Sequence, residues 1–164
     1  MTDSIYESGI NFIANNTFYI EKSELYKNIG NDVRTVEFIR IKDNKLMFVE
    51  AKTTFPNPNN PENDNPNIYR AEICAITDKF IHSLHLLSSL CVGVTKDTLF
   101  EKNIFPDNVS LVFILVIKNH MLDWCKPIEY LLKASLPLYL TNIWKPNVIV
   151  INHDAAIKYG LAHA

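Results

Sequence analysis

Cysteine is scarce in this chain of 164 residues, and its placement excludes two common kinds of site. The three cysteines, Cys74, Cys91 and Cys125, are far apart and form no C-x-x-C pair. Zinc frameworks need closely spaced ligands of this kind, and disulfide frameworks need an even set. The cysteines therefore indicate buried free thiols in a reducing compartment.

The chain also lacks an excess of basic residues. Its 16 Lys and Arg residues face 18 Asp and Glu residues, so the net charge is −2 at neutral pH. Proteins that coat nucleic acids bind phosphates through clustered Lys and Arg. The composition therefore argues against a basic coat protein, and it leaves room for a local basic groove around an acidic metal site.

Long apolar runs are missing as well. The longest, VSLVFILVI (109–117), is too short to cross a bilayer as a helix and predicts a buried strand. The first residues, MTDSIYESGINF, lack the charged and apolar regions of a signal peptide. We therefore expect a cytoplasmic protein with no membrane segment.

The composition is that of a single folded domain. Hydrophobic residues make up 48% of the chain and charged residues 21%, which is typical of a globular protein. A chain of this length buries a substantial core without disulfides or metals. No internal repeat is visible, so residues 1–164 are predicted to form one domain.

The N-terminal region is predicted to hold a helix and then a strand. Residues 3–16 place Ile5 and Phe12 where a short amphipathic helix needs them, although Gly9 lowers helix stability. The segment TFYIEK (17–22) alternates and is aromatic, which predicts a strand.

A β-hairpin followed by a loop is the clearest local prediction. VRTVEFIRIK (33–42) and KLMFVEAKTT (45–54) are rich in strand formers, and Asp-Asn (43–44) suits a tight turn. The segment FPNPNNPENDNPNI (55–68) follows, and its prolines and asparagines predict a loop. This loop is either a solvated connection or a flap beside a groove.

The rest of the chain predicts helices and strands in alternation. The helices are expected at 69–91, 124–135 and 153–162, and the buried strands at 109–119 and 147–152. The predicted order is α-β-β-β-α-β-α-β-α. It indicates an α/β sandwich in which an antiparallel hairpin is followed by strands joined through helical crossovers.

The turn at 43–44 sets which residues of the hairpin face each other. Counting back from a two-residue turn places Glu37 opposite Glu50 and Thr35 opposite Lys52. These side chains share one face of the predicted sheet because side chains alternate along a strand.

Two opposed carboxylates need a physical explanation. Glu37 and Glu50 would repel each other, and their neighbours Ile39 and Phe48 would partly exclude water from them. A fold selected only for stability avoids this arrangement, so a positive charge is expected between the acids. Lys52 is one candidate, and a divalent cation such as Mg²⁺ is the other.

An acid on the first strand of a hairpin and Glu50-Ala51-Lys52 on the second resemble the PD-(D/E)xK nuclease superfamily. The resemblance implies a restriction-endonuclease-like fold: a three-layer sandwich with a central mixed sheet, an antiparallel hairpin and flanking helices. It covers residues 3–118 as the core and leaves 119–164 as a helix-strand-helix extension.

The resemblance also implies a chemistry and a partner. Glu37 and Glu50 would hold Mg²⁺ or Mn²⁺, Lys52 would assist the attacking water, and Glu7 of the first helix is a further metal ligand. The implied substrate is DNA, cut at its phosphodiester bonds. Residues expected to contact the nucleic acid are Thr53, Tyr69 and Arg70.

The chain departs from the superfamily pattern in two ways. The first acid is usually Asp, often after Pro, whereas here Glu37 follows Val36, with Asp32 as an alternative at the start of the strand. The chain contains no glutamine, which disfavours the exonuclease-like branch that uses a Gln-xxx-Tyr pair.

Other interpretations of the same residues remain open. The acids, Lys52 and Thr35 could form an exposed cross-strand network. His82 and His85 could be a metal pair or line a helix edge, and Lys79 is expected at the solvated surface.

The functional alternatives are equally distinct. One is a catalytically inactive member of the fold that binds nucleic acid or protein, and another is a small interaction protein unrelated to nucleic acid. A homodimer or a larger bacterial complex would extend a domain of this size across a duplex.

Overall fold

We describe the protein from a computed structural model that covers residues 4–57, 66–100 and 108–164. Its centre is a five-stranded mixed sheet of order β3-β4-β5-β6-β7, beside a separate hairpin of β1 and β2. The strands are Ser4–Glu7 (β1), Ile10–Ile13 (β2), Thr17–Phe18 (β3), Phe38–Lys42 (β4), Lys45–Lys52 (β5), Ser110–Ile117 (β6) and Asn147–Asn152 (β7). The helices are Glu24–Ile29 (α1), Pro66–Cys91 (α2), Leu122–Ser135 (α3) and His153–Lys158 (α4).

The β4–β5 hairpin has the predicted register. Asp43 and Asn44 both have positive φ angles, 51° and 57°, which are typical of a two-residue type I′ turn. Ile39 pairs with Phe48 on the two strands. The predicted turn and register are therefore confirmed over the five pairs of the ladder.

Strand β4 is shorter than predicted because its predicted start binds a helix instead of a strand. The Arg34 amide donates to His82 Nδ1 at 3.0 Å, and the Val36 amide donates to Ser83 Oγ at 2.9 Å. Both acceptors lie on α2, so residues 33–37 are held beside this helix and leave the ladder.

The predicted helix at 3–16 is wrong, because this segment forms the β1–β2 hairpin. Burial alternates along it with a period of two, and Ile5 and Phe12 point into the core. Gly9, which weakened the helix, lies in the turn at φ 77°, where a Cβ would sit 2.6 Å from Lys118 Nζ. The Ile13 amide also donates to the carbonyl of Leu161, so contacts with the C-terminal tail stabilise the strand.

The central sheet is covered on both faces, which gives three layers. On one face, α2 and α3 pack over the sheet, and the Phe80 and Phe113 rings stack at 4.6 Å. On the other face, Phe12 of β2 meets Phe38 of β4 edge to face, and α4 contributes Ala156. The α/β class with a mixed sheet is confirmed. The predicted flanking helix on the second face is mainly replaced by the hairpin.

Strands β5, β6 and β7 are parallel and are joined through α2 and α3. Their carboxyl ends therefore lie along one edge of the sheet, the usual place for a site in such folds. The outer strand β7 matches the predicted bounds, and the Glu129 carboxylate of α3 accepts the Val150 amide at 3.1 Å. Of the helices in the described ranges, none combines the length and apolar character that a bilayer crossing requires.

The turn geometry predicts the effect of substitution at Asn44. A β-branched residue is strained at positive φ, so Asn44→Val should lower the free energy of unfolding by about 1–2 kcal/mol, whereas Asn44→Gly should maintain or raise it. Urea unfolding measures both effects. The matched control is Asn11→Val on the exposed face of β2, expected within about 0.5 kcal/mol of wild type. Equal tolerance of Val at both positions would contradict the turn assignment.

Candidate functional site

Glu37 and Glu50 lie on the sheet face that α2 covers. Glu37 comes just before β4, in phase with the buried Ile39, and Glu50 is next to Leu115 of β6. Their exposed fractions are 8% and 0%. Two carboxylates this deep in a protein are unusual, and burial of a charge needs compensation. The interpretation as an exposed network is therefore wrong for these acids and for Thr35, which is also buried.

Two further glutamates approach Glu37 from other elements. Glu7 ends β1, and Glu21 lies in a short 3-10 turn, Ile20–Lys22, that follows β3. One carboxylate oxygen from each of these three acids lies within 4.8 Å of the others. The Tyr19 hydroxyl donates a hydrogen bond to Glu7. Oxygens converging in this way from three elements match the donor type that hard divalent cations prefer.

Glu50 is held by a lysine of the covering helix. Lys79 Nζ of α2 lies 2.7 Å from Glu50 Oε1. The other oxygen, Oε2, is buried and has no hydrogen-bond partner among the described residues. An unpartnered buried carboxylate oxygen is costly, so the site has an unused buried acceptor.

The environment moves the pKa values of the acids toward neutrality. Burial, with repulsion from Glu50 and Glu21, raises the pKa of Glu37 to about 8. Burial raises the pKa of Glu50 to about 7, although Lys79 acts in the opposite direction. Burial also raises the pKa of Glu21. At neutral pH, these groups share protons unless another positive charge is present.

Lys79 responds to the same field. Burial would lower the pKa of Lys79, but the carboxylates of Glu50, Glu37 and Glu21 raise it above its usual value. The lysine therefore stays charged and offsets only part of the acidic cluster. The prediction that Lys79 is surface-solvated is wrong, because its ammonium group points inward to Glu50.

Lys52 has a different partner from the one that the hairpin alone suggests. Its Nζ lies 3.6 Å from Glu72 Oε2 of α2, and both side chains are about one-third exposed. This exposed ion pair is weak and easily exchanged for another partner. Lys52 therefore stands at the solvent side of the site, two residues beyond the buried Glu50.

The remaining predicted site residues surround this edge of the sheet. Glu7 joins the acidic cluster from the end of a strand and not from a helix. Thr53 is exposed, and its Oγ1 donates to the Ser8 carbonyl at 3.2 Å. Tyr69 packs edge to face on Phe55, and Arg70 is exposed on the first turns of α2.

The histidine alternatives have structural explanations. His82 Nδ1 accepts the Arg34 amide, and His85 is exposed, so this nitrogen of His82 is already used. His153 begins α4, which Asn152 caps by accepting the Ala155 amide at 3.0 Å.

Lys79 and Glu21 were missed as site residues for different reasons. Lys79 lies three residues after Ile76 and four before Ser83, both buried on α2, so the helical period carried a signal. Glu21 follows a strand of two residues and enters through an irregular turn. No pattern in the sequence indicates that position.

The raised pKa values predict how stability depends on pH. In the unfolded chain the glutamates lose their protons near pH 4.3. In the folded chain Glu37 keeps its proton up to about pH 8 and Glu50 up to about pH 7. The folded state thus binds more protons across this window, so stability falls as the pH rises from 5 to 8.

In the presence of a metal chelator, Glu37→Gln should remove much of this loss of stability between pH 5 and pH 8. It should raise the free energy of unfolding at pH 8 by on the order of 2 kcal/mol. Urea unfolding at pH 5 and pH 8 measures the free energy of unfolding, and the control is the substitution Asp32→Asn at an exposed position. If Glu37→Gln destabilises the chain at pH 8, Glu37 is not a desolvated acid.

The resemblance to the PD-(D/E)xK superfamily rests on Glu37, Glu50 and Lys52. Comparison with protein-family models, with curated proteins and with solved structures found no match to this chain. The superfamily assignment therefore stays a prediction.

Proposed function

We propose that this protein is a divalent-cation-dependent nuclease that hydrolyses phosphodiester bonds of DNA. One observation carries the proposal: the Oε2 of Glu50 is buried without a hydrogen-bond partner in the described chain, and Glu50 interacts electrostatically with the buried Glu37. Of the four carboxylates, those of Glu7, Glu21, Glu37 and Glu50, only Glu50 forms a salt bridge, with Lys79, among the described residues, while Lys52 and Lys22 act on the group at longer range. A cation is the simplest group that lets all four acids remain ionised.

The donor set fits Mg²⁺ or Mn²⁺. Both ions prefer carboxylate oxygens, and Mg²⁺ keeps several waters and takes substrate phosphates. Glu37 would be the central ligand, because it is close to Glu7 and Glu21 and interacts electrostatically with Glu50. When bound, such a cation polarises a phosphoryl oxygen and lowers the pKa of a bound water.

The two lysines have separate roles in this proposal. Lys79 neutralises one oxygen of Glu50 and holds its carboxylate in place. Lys52 leaves its exposed ion pair with Glu72 and places its ammonium group near the reacting phosphate. There it orients the attacking water or stabilises the charge that develops on the phosphoryl oxygens.

The substrate would approach at the carboxyl ends of the parallel strands. Lys52 ends β5, Thr53 follows it, and Thr53 and Arg70 are exposed, so these side chains would contact the nucleic acid. The net charge of the whole chain is −2, so affinity for DNA would depend on this local group. A second copy of the chain or a partner would enlarge the surface that contacts a duplex.

A catalytically inactive binding module is the second candidate, and the lysine pairs favour it. Lys79 forms a salt bridge with Glu50, and Lys52 forms one with Glu72, so each lysine is already paired with a carboxylate. In that case the site is a structural ion network, and the domain binds nucleic acid or protein without cutting it. Metal binding and cleavage separate the two candidates.

Metal binding should appear in stability before any activity is measured. At pH 8, Mg²⁺ in the millimolar range should raise the melting temperature, because a ligand that binds only the folded state stabilises it. Chelator should reverse the rise, and Glu37→Gln should abolish it. Asp32→Asn should respond like wild type. An unchanged melting temperature with both Mg²⁺ and Mn²⁺ would favour the binding module.

Cleavage should depend on the same residues. With Mg²⁺ or Mn²⁺, the protein should cut at least one of plasmid, single-stranded and branched DNA. Glu37→Gln and Lys52→Ala should each lower the rate by about 100-fold or more, because each removes stabilisation of charge in the transition state.

The matched control is Lys27→Ala, an exposed lysine of α1, which should cut like wild type. Metal binding without cleavage of any of the three substrates would exclude the nuclease and leave the inactive module.

A further inference from the structure

A second group of like charges lies at the other end of the β4–β5 hairpin. Lys42 and Lys45 flank the turn and are directly paired across the two strands. Directly opposed like charges destabilise a sheet. In the described ranges neither lysine forms a salt bridge with an acid, although Asp43 lies between them in the turn. The pair is five residue steps from Glu37 and Glu50, roughly 16 Å along the strands.

Arg40 adds a buried positive charge on the same face of the sheet. It alternates in phase with Lys42, and only 6% of its surface is exposed. Its Nη1 donates to the Gly160 carbonyl at 2.8 Å, but its Nε is buried and has no hydrogen-bond partner in the described chain. A buried guanidinium group is usually paired with a carboxylate or phosphate. In the described ranges Arg40 forms no salt bridge, and the Asp43 carboxylate of the turn is the acid whose charge acts on it.

A largely apolar cavity is lined by the two lysines, Lys42 and Lys45. It has a volume of about 110 Å³ and lies on the sheet face opposite to the acidic cluster. Met47, Val112, Ile114 and Ile151 supply apolar side chains from three neighbouring strands. Lys42, Lys45 and Tyr159 supply polar groups to the same cavity.

The position of Arg40 links its charge to this cavity. Arg40 pairs with Met47 in the ladder, and it bonds to the residue between Tyr159 and Leu161, which both line the cavity. The wall of the cavity is therefore largely apolar, and Lys42 and Lys45 line one side of it together with Asp43. Arg40 does not line the cavity but contacts the chain next to it.

We propose that this cavity binds a small amphipathic anion. A short alkyl chain of the ligand packs on Met47, Val112 and Ile114, and its carboxylate or phosphate faces Lys42 and Lys45. The cavity, at about 110 Å³, is smaller than the cavity of about 150 Å³ that accepts a benzene molecule, so it admits part of a six-carbon chain and no ring. The anion offsets both the paired lysines and the buried charge of Arg40.

This inference is independent of the proposed nuclease function, because the two sites use opposite faces of the sheet. Glu37→Gln, which disrupts the acidic cluster, should leave binding in the cavity unchanged. The two proposals can therefore fail separately.

The test is a titration of the isotope-labelled full chain, followed by NMR. Hexanoate and hexyl phosphate are the probes, and comparing them decides between a carboxylate and a phosphate ligand. Acetate and inorganic phosphate lack the apolar part, whereas 1-hexanol lacks the charge. At least one probe should shift the signals of cavity residues and bind at least 10-fold more tightly than all three controls.

Three variants assign the binding to these residues. The double variant Lys42→Ala, Lys45→Ala should weaken probe binding at least 5-fold, and Lys27→Ala should leave it unchanged. Arg40→Met should weaken binding while maintaining or raising the melting temperature, because a buried unpaired charge is replaced by an apolar group.

If Arg40→Met does not fold, the double lysine variant decides alone. Equal affinity for hexanoate, hexyl phosphate and 1-hexanol, or no shift of cavity residues with either anionic probe, would overturn the proposal.

Discussion

The burial of two interacting carboxylates beneath a helix is the constraint on which this structure depends. The type I′ turn at Asp43 and Asn44 sets the register of the β4–β5 ladder, and Glu37, which lies just before that ladder, interacts electrostatically with Glu50. Helix α2 then excludes water from both with an apolar stripe, and the same helix supplies Lys79. One helix both desolvates the acids and partly neutralises them. A shift of α2 along the sheet would therefore expose a carboxylate to solvent or leave a buried carboxylate without its lysine partner.

The same hairpin carries like charges at both ends, and the fold treats them differently. The acids at one end are covered, so they are stabilised through Lys79 and by pKa values that approach neutrality. The lysines at the turn end, Lys42 and Lys45, reach solvent, so water screens their repulsion. Arg40 combines the two cases. It is buried, as the acids are, and it forms no salt bridge with an acid in the described chain, as is also true of the two lysines.

Local signals predicted the parts of the structure that local geometry determines. The register of the hairpin follows from two turn residues, and the buried strand β7 follows from an uninterrupted apolar run. The hairpin of β1 and β2 was predicted as a helix because its strands depend on distant partners, including the Leu161 carbonyl. The same distinction applies to the residues of the site. Counting through the turn predicted Glu37 and Glu50, whereas Glu21 reaches the cluster through tertiary packing and was not predicted.

The presence of Glu37 and Glu50 in the core bears on function because stability alone does not explain them. Apolar residues of similar size would fill the space under α2 and avoid the desolvation of two carboxylates. The acids instead oppose folding at neutral pH, because burial raises the pKa of each carboxyl group well above the usual range for glutamate. Lys79 compensates for one oxygen of Glu50 and leaves the other unpartnered. In the proposed function, this arrangement at the carboxyl ends of the parallel strands would supply the negative charge that holds a cation next to a phosphate.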